Sequence, residues 1–110
     1  MNQKLSNILI KHGIILKNTK SLEARIFSKK KKLICIYGEN INKQYCLILF
    51  SFTKSKILTK ESLEFESIFQ NIRQVLNLNF KIYFIFHQAS ICSKAKEYLT
   101  AKGIQSYAFM

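Results

Sequence analysis

The sequence predicts a single α/β domain over residues 1–110, a mixed sheet flanked by helices in the order α-(β)-β-β-α-β-α-β. Three observations carry this expectation. The β-branched and aromatic runs "LICIY" (33–37) and "YCLILFSF" (45–52) bracket a polar turn and read as an antiparallel hairpin. From Thr59 the apolar spacing changes to that of a helix. "KIYFIF" (81–86) is apolar on both faces, as a central parallel strand buried between helices must be.

The remaining elements follow in order. Leu5, Ile8, Leu9 and His12 share one face of a helix over 3–12, and Gly13 can close it. "LEARIF" (22–27) reads equally as a short strand or a helical turn, and "GENINKQ" (38–44) supplies the hairpin turn. In the second helix Thr59 is the expected N-cap and Phe65, Ile68, Phe69, Ile72, Val75 and Leu76 form the stripe; its acids cluster in the early turns, where the helix dipole favours them. A third helix spans about 90–102, with Ser90 or Ser93 as cap and Gly103 as stop, before a last strand, "IQSYAF" (104–109). Neither a repeat nor a Pro/Gly/Ser-rich linker divides the chain.

With 48% hydrophobic residues, the chain can bury a real core. No apolar run approaches the ~20 residues of a membrane span, and a cytoplasmic location is the expectation. Cys35, Cys46 and Cys92 lie far apart, a spacing that argues against a zinc knuckle and against a disulfide scaffold. Charge is the informative quantity: 18 Lys and Arg face 6 acids, all of them Glu, for a net charge of +12. Such an excess implies an anionic partner, most often nucleic acid, less often a membrane surface or an acidic protein.

Three basic clusters give the excess a pattern. Lys29, Lys30, Lys31 and Lys32 precede the hairpin; Lys54, Lys56 and Lys60 follow it; Lys94, Lys96 and Lys102 lie in the third helix. Antiparallel pairing brings the first two together at one end of the sheet, as a track for phosphates; an edge-protecting charge run is the plainer alternative for the first. In "HQASICSK" (87–94), Ser90, Ser93 and Lys94 stand at a helix N-terminus that can seat an anion. His87 ends the central strand without an evident catalytic partner, His12 reads as a core or boundary residue, and Tyr37, Tyr45 and Tyr107 could stack on bases.

The segments "FSFTKSKILTKESLEFESIF" and "YFIFHQASICSKAKEYLTAKGI" give the chain from about Leu33 to Phe109 its likeness. It resembles the PD-(D/E)xK nuclease fold of restriction-endonuclease-like and Holliday-junction-resolvase-like proteins. The resemblance implies a helix before a hairpin, a lysine-flanked segment, and a strand, turn and helix approaching the nucleic-acid backbone. It also places Leu49 where that family has its Glu, Ser51 where it has its Lys, and Cys35 near its metal-binding Asp. Such enzymes need two or three carboxylates to hold Mg²⁺. Only Glu39, in the turn, and Glu23, upstream, offer themselves.

The expected function is therefore phosphate-backbone binding of nucleic acid, DNA rather than RNA, with neither cofactor nor nuclease activity. Two alternatives stay open. One is an active Mg²⁺-dependent nuclease using Glu23 and Glu39. The other is a small interaction protein, an immunity, antitoxin or accessory subunit, meeting an acidic protein. No membrane partner is expected, and pairing of two copies is left open.

Overall fold

The computed structural model describes residues 3–22 and 32–109. Among them the elements are α1 (Gln3–Lys11), β1 (Lys17–Leu22), β2 (Leu33–Glu39), β3 (Tyr45–Ser51), α2 (Thr59–Leu76), β4 (Phe80–His87), α3 (Ser93–Ala101) and β5 (Ile104–Ala108). This is the predicted order, on one five-stranded sheet in which spatial and chain order coincide, β1-β2-β3-β4-β5. The first two pairings are antiparallel and the last two parallel. The change of sense falls where a tight turn gives way to a helical crossover, since parallel neighbours cannot be joined by a hairpin.

The two sheet faces bury different helices. One packs Leu33, Cys35, Leu47, Leu49 and Ile85 against Phe65, Ile68, Phe69 and Ile72 of α2 and against Ala95 and Leu99 of α3. The other packs Ile36, Ile48, Phe50 and Phe86 against Leu5, Ile8 and Leu9 of α1. Strand β3 is buried along almost its whole length, which is why it reads as a continuous apolar run. The buried Ser62 hydroxyl donates to the Ala95 carbonyl at 3.4 Å and ties α2 to α3.

Several local expectations are corrected. The uncertain first strand occupies Lys17–Leu22, earlier than "LEARIF" suggests; it is a largely exposed edge strand with no apolar alternation to betray it. Residues 23–27 lie outside the described residues. Gly38 belongs to β2, not to the turn, since it pairs with Cys46, and β1 crowds it: a Cβ there would stand 3.0 Å from Thr19 Cγ2 and 3.1 Å from the Lys17 carbonyl. The turn proper is organised by Asn40, whose Oδ1 accepts from the N–H groups of Asn42 and Gln44, both at 2.9 Å.

Helix α2 is capped by Leu58 instead of Thr59, with the Glu61 carboxylate accepting the Leu58 N–H at 3.3 Å. Val75, at the edge of the stripe in the last turn, is 66% exposed. Helix α3 starts later than expected, at Ser93, with the Cys92 thiol as the N-cap group in place of a serine. The reason is tertiary. Residues before it stay extended because Ile91 bridges Ile57 of the preceding loop.

Candidate nucleic-acid interface

Strands β3, β4 and β5 run parallel and end level with one another at Ser51, His87 and Ala108. In open α/β sheets the carboxyl ends of such strands are where loops diverge and ligands are met. Here the described lysine segments arrive together. The Phe52 N–H donates to the Lys32 carbonyl at 2.9 Å, so the residue before β2 sits beside the exit of β3. The loop after β3 is fastened to the loop after β4: Ile57 N–H donates to the Ser90 carbonyl at 2.9 Å, and Cys92 N–H to the Ile57 carbonyl at 3.0 Å. Ile57 is buried and anchors both loops in the core. Lys54, Lys56, Lys60, Ser90, Ser93 and Lys94 are all exposed along these loops and the first turns that follow them, as is Lys32. Lys29, Lys30, Lys31 and Glu23 lie outside the described residues.

The third basic cluster does not hold together. Lys94 stays with the loops, whereas Lys96 donates to the Ser106 carbonyl at 3.0 Å and Lys102 lies 3.8 Å from Glu66, near the Tyr98 ring. At the N-terminus of α3 the Cys92 sulfur accepts the Ala95 N–H at 3.3 Å, leaving Ser90 and Ser93 off the cap. Tyr37 and Tyr45 pack edge-on against Phe80 at the opposite end of the sheet, and the His12 ring packs at a tilt against Phe86 and Tyr107.

Beneath the lysine loops, on one sheet face, lie three buried polar side chains that the sequence pattern only half discloses: Ser51 paired with His87, and Ser106 one step away on β5. Ser51 Oγ is 3.1 Å from Thr53 Oγ1. His87 Nδ1 is 2.7 Å from the Ala89 carbonyl, which can only accept, so the proton is on Nδ1. Nε2 and the Ser106 hydroxyl are buried with no hydrogen-bond partner among the described residues. Burial holds the His87 pKa below its ordinary value; the Lys96 charge adds to that, and the Ala89 hydrogen bond opposes it. A histidine kept neutral in the fold makes stability fall as pH drops below 6.5, where the unfolded chain takes up the proton first; the loss is complete once pH passes the folded pKa. Urea unfolding at pH 7.5 and pH 5 is expected to show this decline, and His87→Gln to flatten it. An identical pH dependence in the two proteins would refute the assignment.

The positions that the nuclease resemblance assigns to catalysis are adjacent and buried, and none carries an ionised group. Cys35 and Leu49 are direct cross-strand partners, both fully buried beneath α2, and Leu33 pairs with Ser51. Burial pushes the Cys35 thiol up, which keeps it protonated and inert. Glu39 stands at the far end of β2, paired with Lys17 and Tyr45, about 20 Å of strand from Leu33. Among the described residues no three His, Cys, Asp or Glu side chains group so as to hold a metal ion, and no helix is long and apolar enough to cross a membrane.

Fold and site together define a mixed α/β sheet domain with a lysine-bearing end, in the element order that the sequence predicts. No protein-family model matches the chain, and no curated protein matches its sequence. Solved structures do. Over 96% of this chain and 55% of the other, it is similar to AF1548, a protein of unknown function, with a TM-score of 0.61 and 16% identity. EndoMS in its apo form matches over 99% of this chain and 46% of its own, with a TM-score of 0.59 and 12% identity. EndoMS in its complex with dsDNA matches over 96% and 42%, with a TM-score of 0.55 and 11% identity. The chain thus spans about half the length of the structures it matches, and at these identities the likeness is one of fold.

Proposed function

We propose that this domain binds nucleic acid through phosphates at the carboxyl end of its parallel strands and does not cut it. The observation that carries this is the convergence of Lys32, Lys54, Lys56, Lys60 and Lys94 on loops fastened to each other through Ile57 and Ile91. Duplex DNA is the favoured ligand over RNA, a preference supported by the similarity to EndoMS, which has been solved with dsDNA. No cofactor is assigned. With about five phosphates neutralised, the logarithm of the binding constant should fall with the logarithm of salt concentration with a slope of about −4 to −5. Fluorescence anisotropy on a labelled duplex, between about 50 and about 200 mM salt, reads this directly. A salt-insensitive curve sinks the proposal.

Absence of cutting rests on Cys35 and Leu49 filling the positions of the missing carboxylates and on Glu39 standing at the other end of β2. Plasmid incubated with the protein and Mg²⁺ or Mn²⁺ is expected to stay supercoiled. Cleavage that disappears in Glu39→Ala would instead establish the nuclease alternative, with Mg²⁺ as its cofactor.

A further inference from the structure

The face covered by α1 is covered only in part. Beside α1, and at the end of the sheet away from the lysine loops, an open apolar groove runs between the segment after α1, the β2–β3 turn and the start of β4. It is lined by Ile14, Ile15, Leu16, Ile41, Ile82 and Phe84. Ile15 is 68% exposed and Ile41 is 73% exposed, so two large aliphatic side chains that line one groove stand in water. Isolated exposed apolar residues are ordinary, but a contiguous groove with a polar rim marks an interaction surface.

The rim says what kind of partner fits. Lys11 and Lys43, both exposed, lie within two residues of the groove-lining Gly13 and Ile41. Acids are not spread evenly: of the described glutamates, Glu61, Glu64, Glu66 and Glu97 belong to α2 and α3 on the other sheet face, and Glu39 alone stands near the groove. A second copy, also carrying +12, would bring lysines against lysines. We infer that the groove docks a segment of another protein in which apolar side chains alternate with Asp or Glu. The apolar side chains enter between Ile15 and Ile41, and the acids meet Lys11 and Lys43. This goes beyond phosphate binding and uses the opposite end of the sheet, so one chain can hold nucleic acid and an acidic protein segment together.

The test is selection of a phage-displayed library of random 16-residue peptides on the full chain, in the presence of saturating duplex DNA. Selected peptides should be rich in Asp, Glu and large apolar residues, and should lose at least tenfold in affinity for the Ile15→Lys/Ile41→Lys variant. Both substitutions are at exposed positions, so the variant should keep the parent's melting temperature and its salt-dependent DNA binding. Failure to select any peptide, selection without an acidic bias, or undiminished binding to the variant overturns the inference. So does sedimentation of the parent as a dimer that the two substitutions dissociate, which would assign the groove to a second copy. Loss of DNA binding in Lys54→Glu/Lys56→Glu leaves this result untouched and bears only on the nucleic-acid reading.

Discussion

Leu49→Glu is expected to cost at least about 3 kcal/mol of stability, or to prevent folding, instead of restoring a nuclease site. Leu49 is fully buried on β3, with Cys35 beside it and α2 packed over both. A carboxylate there would lose its hydration with no described cation or metal ligand set to replace it, and the protein would also forfeit the packing of a buried leucine. Leu49→Met, close in volume and apolar, should cost less than about 1.5 kcal/mol. Urea unfolding of the two variants separates the cases. A Leu49→Glu protein as stable as the parent would mean that this position can be hydrated, and would reopen the question of a metal site between β2 and β3.

Lys54→Glu/Lys56→Glu should weaken duplex binding by about tenfold or more at low salt and flatten the salt slope by about 2, one for each phosphate that a lysine no longer neutralises. Both lysines are exposed, in the loop that Ile57 pins to the loop after β4, so their replacement should leave the fold intact. The control is Lys17→Glu/Lys43→Glu, which changes the net charge equally at the other end of the sheet. If binding followed net charge alone, the two pairs would weaken it alike. A slope changed equally by both would dissolve the localised track into a diffuse field.

The contrast between these pairs matters because composition cannot make it. Every lysine contributes equally to +12, yet Lys96 is spent on the Ser106 carbonyl and Lys102 sits beside Glu66, while Lys54, Lys56 and Lys94 stand exposed on adjoining loops. The buried polar group of Ser51, His87 and Ser106 is a similar case. Ser106 sits in a strand whose exposed Gln105 and Tyr107 flank it, so alternation marks it as inward-facing. Nothing in the spacing shows that it lies one row from His87 on the same sheet face, since that depends on the β4–β5 register.

What the amino-acid sequence determined by itself is the succession of elements and the hairpin. Periodicity and turn residues are local, and a fully buried strand such as β3 must be apolar wherever it lies. That the chain has no Asp was equally legible, because an absent residue is absent in any fold. The tertiary structure decided the rest. It set β1 as an edge strand hidden by its polarity, moved the α3 cap to Cys92 because the Ile57–Ile91 bridge keeps the preceding residues extended, and put Glu39 at the end of the sheet away from Lys54, Lys56 and Lys94. It also separated the lysine-bearing end from the apolar groove. Each of these turns on pairing between residues distant in the chain, and such register is fixed by the burial of whole faces together, a condition that no local pattern contains.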